Sequence, residues 1–91
     1  MMYKLRTTNQ FERDYLRCKK RGYDMTLIDK AMSILIEKGC LPLEYHQHKL
    51  SGNYSDCWEC HIKPDWLLIW KQYDDELIMM FMNTGSHSDL F

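Results

Sequence analysis

Little interrupts this chain, and no single feature dominates its composition. Only two prolines and four glycines punctuate its 91 residues, which excludes collagen-like and Pro/Gly-rich disordered classes. No apolar run approaches the ~20 residues needed to cross a bilayer as a helix. The longest, Trp66 to Trp70 and Leu77 to Met82, are strand-sized. Repeats and low-complexity stretches are missing, and the residues after Met1 lack the apolar core of a signal peptide. A cytoplasmic location is therefore expected, with Cys18, Cys40, Cys57 and Cys60 as free thiols rather than a disulfide framework. Charge of either sign is not in excess: 12 Lys and Arg oppose 13 Asp and Glu, for a net of −1. That balance argues against a free-standing nucleic-acid binder, which is usually strongly basic. What remains, 45% hydrophobic and 27% charged residues, is the composition of one globular domain spanning 1–91.

The hydrophobic periods divide the chain. Tyr3 to Thr7 alternates and reads as a short strand. Thr8 or Asn9 then caps a helix with Phe11, Tyr15 and Cys18 on one stripe, ending near Gly22. Asp24 caps a second helix to about Lys38, with Leu27, Ile28, Ala31, Ile34 and Leu35 facing inward and Gly39 at its C-terminal turn. Cys40 to Ser51 follows neither period and reads as a loop. Three strands come next, Tyr54 to Ile62, Trp66 to Tyr73 and Glu76 to about Asn83, with turns at Lys63-Pro64-Asp65 and Asp74-Asp75. Gly85 breaks the tail, which has room for one helical turn. The order β-α-α-β-β-β predicts an α+β fold: an antiparallel sheet, mixed at its N-terminal strand, with a helical hairpin on one face and the other face free.

Few residues carry reactive chemistry. Cys57-Trp58-Glu59-Cys60-His61 spells C-x-x-C-H, a haem-attachment pattern. On a strand, however, residues i and i+3 point to opposite faces, so neither a haem nor a zinc knuckle is served. Strand alternation puts Glu59 and His61 on one face, about 7 Å apart, opposite Trp58, Cys60 and Ile62. His46, His48, His61 and His87 share no metal-ligand spacing, but the fold order allows loop, strand and tail histidines to converge. Imidazoles near an unperturbed pKa of ~6.5 exchange protons at neutral pH. Trp66 opens its strand after a turn, where an edge position offers a stacking surface, and Asp65 beside it is placed to orient a histidine.

These residues also carry a resemblance. His48-Lys49-Leu50-Ser51-Gly52, then Glu59-Cys60-His61-Ile62-Lys63-Pro64-Asp65-Trp66, then Gly85-Ser86-His87-Ser88-Asp89-Leu90-Phe91, resemble the YafQ-type toxins of the RelE/ParE superfamily, from bacterial type II toxin–antitoxin systems. With Leu41-Pro42-Leu43 the likeness covers nearly the whole chain. It implies a RelE-like fold and a ribosome-dependent endoribonuclease that cuts mRNA by attack of the substrate's 2′-OH, without metal or other cofactor. The reaction leaves a 2′,3′-cyclic phosphate and a 5′-OH. The family's catalytic positions fall on His48, His61, Asp65 and His87, with Glu59 where an aspartate is often seen. Trp66 and Phe91 match positions near the substrate. The implied partners are the ribosome, mRNA and a DinJ- or RelB-like antitoxin, with a DNA-binding part and a segment that folds onto the toxin. No membrane partner is implied.

One departure stands out. Family members commonly carry an arginine shortly before the Gly-Ser-His, whereas Met79 to Asn83 holds no cation. Lys49 and Lys63 are candidate substitutes, and the alternative reading is a catalytically weakened, antitoxin-binding co-repressor. The charge total also hides two unlike halves. Residues 1–50 carry a net +4 and residues 51–91 a net −5. The basic half, with its Arg17 to Arg21 cluster, is then expected to contact ribosomal RNA while the histidine-bearing half makes the cut.

Overall fold

In a computed structural model, described for residues 2–91, both helices form as the pattern predicts. After β1 (Lys4–Thr7), Thr8 accepts the Phe11 amide and starts α1 (Asn9–Lys20). Asp24 accepts the Thr26 amide and starts α2 (Met25–Lys38), which stops at Gly39 with φ +74°. The buried stripes are Phe11, Asp14 and Cys18 on α1, and Ile28, Ala31 and Leu35 on α2. Met32 and Ile36 flank the α2 stripe against the core, whereas Ile34, expected inward, does not join it. Asp14 takes the position of a core residue, its charge met by Arg17 and the Thr84 amide.

The segment expected to be a loop contains a fifth strand. The chain turns through a 3-10 turn at Leu43–Tyr45, forms β2 (His48–Lys49), and turns again at Gly52–Tyr54. β3 (Trp58–Lys63), β4 (Trp66–Tyr73), β5 (Ile78–Gly85) and the short α3 (His87–Leu90) follow. A two-residue strand has no detectable period, which is why the sequence pattern reads it as a loop. It exists because His48 and Lys49 find Glu59 and Trp58 across an antiparallel pairing.

The sheet order is β1-β5-β4-β3-β2. The helical hairpin carries the chain from one edge of the sheet to the other, and four antiparallel strands bring it back. β5 thereby ends beside β1, and that pair is parallel. Leu68 and Trp70 of β4, Met79 and Phe81 of β5, and Cys60 of β3 meet the helices in one core, with Phe11 against Phe81 at 5.7 Å between ring centres. No described helix is long and apolar enough to cross a membrane.

The opposite face is not bare, contrary to the sequence expectation. Cys57, Glu59, Leu67 and Ile69 are all buried yet lie outside the helix-side core. Cys57 and Cys60 therefore sit on opposite sides of the sheet, as alternation requires, and burial pushes both thiols up.

The N-terminus is tied in at Gly39. The Tyr3 amide donates to Ile36 O at 2.8 Å, and its hydroxyl donates to Asp74 Oδ1 at 2.6 Å. A Cβ on Gly39 would stand 2.9 Å from the Tyr3 ring, at a φ that disfavours any side chain. Gly39→Ala is expected to destabilise the fold by about 1–2 kcal/mol, read from the urea midpoint at unchanged slope.

Candidate active site

All four histidines converge on the sheet face away from the helices. His61, from β3, is central: its ring centre lies 6.0 Å from that of His46, 6.3 Å from His48 and 6.0 Å from His87. His46, which the motif leaves over, belongs to the cluster because it adopts a left-handed turn (φ +52°) just before β2. No sequence period signals that turn.

On one side of His61 lies Glu59. It was expected on an accessible face, but it is only 5% exposed, because β2 pairs over it. A buried carboxylate requires partners. They are His48 Nε2 at 3.1 Å and His61 Nε2 at 3.8 Å. His48 Nδ1 lies 2.8 Å from His46 O. Both nitrogens of the His48 ring thus face oxygen acceptors.

On the other side lies the pair Asp65–His87. Asp65 sits in the two-residue turn between β3 and β4, next to a bulge at His61/Lys63. Its Oδ1 accepts the His87 backbone amide at 2.9 Å and lies 2.6 Å from His87 Nδ1. An ionised carboxylate only accepts, so Nδ1 carries the proton and Nε2 is left to exchange one. The amide bond and then the ring bond from His87 hold the Asp65 carboxyl below its ordinary range. Both groups are largely solvent-exposed.

The remaining candidates divide. Lys63 is exposed and lines a cleft of about 620 Å³ with Glu44, His46, His61 and Pro64. Phe91 is 64% exposed, with its ring 5.3 Å from that of Tyr54. Lys49 does not join the cluster. As the neighbour of His48 on a strand it points the other way, with its ammonium 5.4 Å over the Trp58 ring. Trp66 is no stacking platform: it is 3% exposed, its indole N–H donates to Thr84 Oγ1 at 2.9 Å, and the Tyr23 ring packs edge-on against it at 4.8 Å. At the position of the missing arginine, the Asn83 amide faces Asp14 at 3.4 Å.

The cluster expected to reach RNA is also partly committed inside the molecule. Arg17 reaches Asp14 at 3.2 Å and the Thr84 carbonyl at 3.2 Å, and Arg21 donates twice to Asp89. The bond from Arg21 holds the Asp89 carboxyl far below the usual carboxylate range. Lys19 and Lys20 remain exposed.

Asp65 and Asp89 thus both have depressed folded-state values. Their contribution to stability is complete above the ordinary carboxylate range and is lost as pH falls through the depressed values. Acid titration followed by NMR should show the His87 amide moving with Asp65, at a midpoint below the ordinary aspartate value. A midpoint at or above that value would contradict the pairing.

A family model described as the bacterial toxin of type II toxin–antitoxin systems, YafQ, matches residues 3–91. The chain is 34% identical over 85 residues to the mRNA interferase toxin YafQ of Escherichia coli K12, covering 92% of this chain and 90% of that one. The crystal structure of the E. coli DinJ–YafQ toxin–antitoxin complex superposes with a TM-score of 0.90 at 32% identity, covering 100% of this chain and 99% of that chain. A metal-bound toxin from Helicobacter pylori superposes with a TM-score of 0.88 at 34% identity, with both chains fully covered. By its sequence over nearly its full length, and by its fold, this chain belongs to the YafQ family of bacterial type II toxins.

Proposed function

We propose that this protein is the toxin of a type II toxin–antitoxin pair and acts as an mRNA endoribonuclease on the ribosome. The observation that carries this reading is the convergence of His48, His61 and His87 on one face, with Glu59 and Asp65 bracketing them. The E. coli relative named as an mRNA interferase supports it.

Cleavage by the substrate's own 2′-OH needs a base to take that proton and an acid to protonate the leaving 5′-oxygen, on opposite sides of the phosphate. Two imidazoles flank His61 with ring-centre gaps of about 6 Å, and each is oriented by its own carboxylate. His87, its Nδ1 held by Asp65, transfers a proton at Nε2. His48, between Glu59 and the His46 carbonyl, supplies a second proton-transfer site, and His61 lies between them against the phosphate. Charge that grows on the phosphoryl oxygens is met by these rings and by Lys63. That set takes over the phosphate contact of the absent strand arginine, and the weakened co-repressor reading is not favoured. The step releases a 2′,3′-cyclic phosphate and a 5′-OH, and water is not consumed in it.

No metal takes part in this scheme. The metal-bound Helicobacter relative makes that a point worth testing directly. The partner is an antitoxin that covers this face, as DinJ partners YafQ in the E. coli complex. Action on ribosome-bound mRNA places the protein in the cytoplasm.

His87→Ala is expected to lower the cleavage rate by at least about 100-fold on ribosomes programmed with a short mRNA, and to relieve growth arrest on induction. Wild-type toxin stripped of bound metal by a chelator, then exchanged into the ribosome's magnesium buffer, should cut at an unchanged rate, with cyclic-phosphate ends on the product. An alanine variant that cuts at the wild-type rate would sink the assignment, and a rate that collapses after stripping would sink the metal-free scheme.

A further inference from the structure

We propose that Arg21, acting through Asp89, is a positioning residue for His87, with Arg17 as a second brace. The proposal rests on the reading of His87 as catalytic. α3 has four residues, far fewer than the ~12–15 at which an isolated helix becomes even marginally stable. The ring it carries is more than half exposed, as is its Asp65 partner, so burial does not hold either in place. Its order comes from bonds to its neighbours: Tyr54 reaches the Leu90 carbonyl at 3.3 Å at the far end, and at the first turn the bonds are made behind it.

Those behind the first turn come from the last turn and the C-cap of α1. Arg21 grips Asp89 with both prongs, Nη1 to Oδ2 at 2.6 Å and Nη2 to Oδ1 at 3.0 Å. Asp89 is also the third residue of the capping box, where its Oδ2 accepts the Ser86 amide at 2.9 Å and its own amide donates to Ser86 Oγ. One carboxylate therefore joins the first turn of α3 to a helix 68 residues away in sequence. Arg17 Nη2 stands 3.7 Å from the same Oδ2 and donates to the Thr84 carbonyl at 3.2 Å. The chain passes hard against this clasp: a Cβ on Gly85 would lie 2.7 Å from Asp89 Oδ2 and 2.9 Å from Arg17 Nη2. The Asp89 side chain is only 12% exposed, so this two-pronged pair is better shielded than an open surface ion pair. Among the described residues, neither arginine bonds to a histidine. Their action is on the position of α3, and through it on where His87 Nε2 points.

The test compares Arg21→Ala, Arg21→Lys and His87→Ala on ribosomes programmed with a short mRNA, with hydrogen exchange of the His87 amide as a structural readout. Arg21→Ala should lower kcat about ten- to a hundredfold while KM stays within about twofold, because a misplaced proton-transfer group costs rate and not substrate affinity. Exchange of the His87 amide should accelerate while β3, β4 and β5 keep their protection. Arg21→Lys should recover part of kcat, since it retains the charge but not the fork. The positioning role is overturned if His87→Ala is inactive while Arg21→Ala keeps its kcat within about twofold of wild type. It is overturned equally if protection falls across the whole sheet. If His87→Ala cuts like wild type, the catalytic reading fails first and the positioning role falls with it.

Discussion

The pairing of Leu67 with Gly85 at the ends of β4 and β5 is the constraint on which the site rests. From Tyr73–Ile78 to Trp70–Phe81 the strands run in one register, and at Ile69–Asn83 it has shifted by one residue. The extra residue is Met82, and the bulge it makes decides what stands opposite Asp65. Carried past Leu67–Gly85, the shifted register brings Asp65 opposite His87. Without the bulge, Ser86 would stand there, and every side chain beyond it would face the other way. The bulge is held by α1: Thr8, whose hydroxyl caps that helix, also donates to the Met82 carbonyl at 2.9 Å.

α1 goes on supporting the same stretch of chain, residue by residue. Asp14 is 1% exposed in the middle of its apolar stripe. It accepts the Thr84 amide at 3.2 Å and meets Gln10 and Arg17, so its charge is buried with partners. Thr84 Oγ1 donates to the Leu67 carbonyl and accepts from the Trp66 indole. Arg17 and Arg21 then take up the backbone and Asp89. The anchors are buried or shielded, while the His87 and Asp65 side chains stay in solvent. Rigid support behind the exposed Asp65–His87 pair fixes its geometry without a deep pocket.

Much of this was legible in the sequence, and the misses have physical causes. The helices, their caps and the β3–β5 meander follow from periods and turn residues. The motif selected His48, His61, Asp65 and His87, and the fold brings them together. Lys49 and Trp66 fall outside the cluster because a motif records neighbours in sequence, not sides of a sheet: strand alternation turns Lys49 from His48, and Thr84 draws the Trp66 indole inward. Glu59 was expected in the open because β2, two residues long, leaves no pattern. The motif leaves His46 over, and the left-handed turn that brings it to His61 has no signature in the sequence. The Arg17–Arg21 run reads as a basic surface; Asp14 stands at a helical i,i+3 spacing from Arg17, but nothing local shows that Asp89 engages Arg21.

By itself the sequence determined what each residue is able to do: which segments are helical, which face of β3 holds Glu59 and His61, and which groups exchange protons near neutral pH. These are properties of single side chains and of short-range periodicity. The tertiary structure alone decided which groups meet. Asp65 and His87 lie 22 residues apart, and Arg21 and Asp89 lie 68 apart. Their distances depend on a strand register, a one-residue bulge and a helix packed across the sheet. Each is set by the summed fit of many contacts, which no local pattern contains.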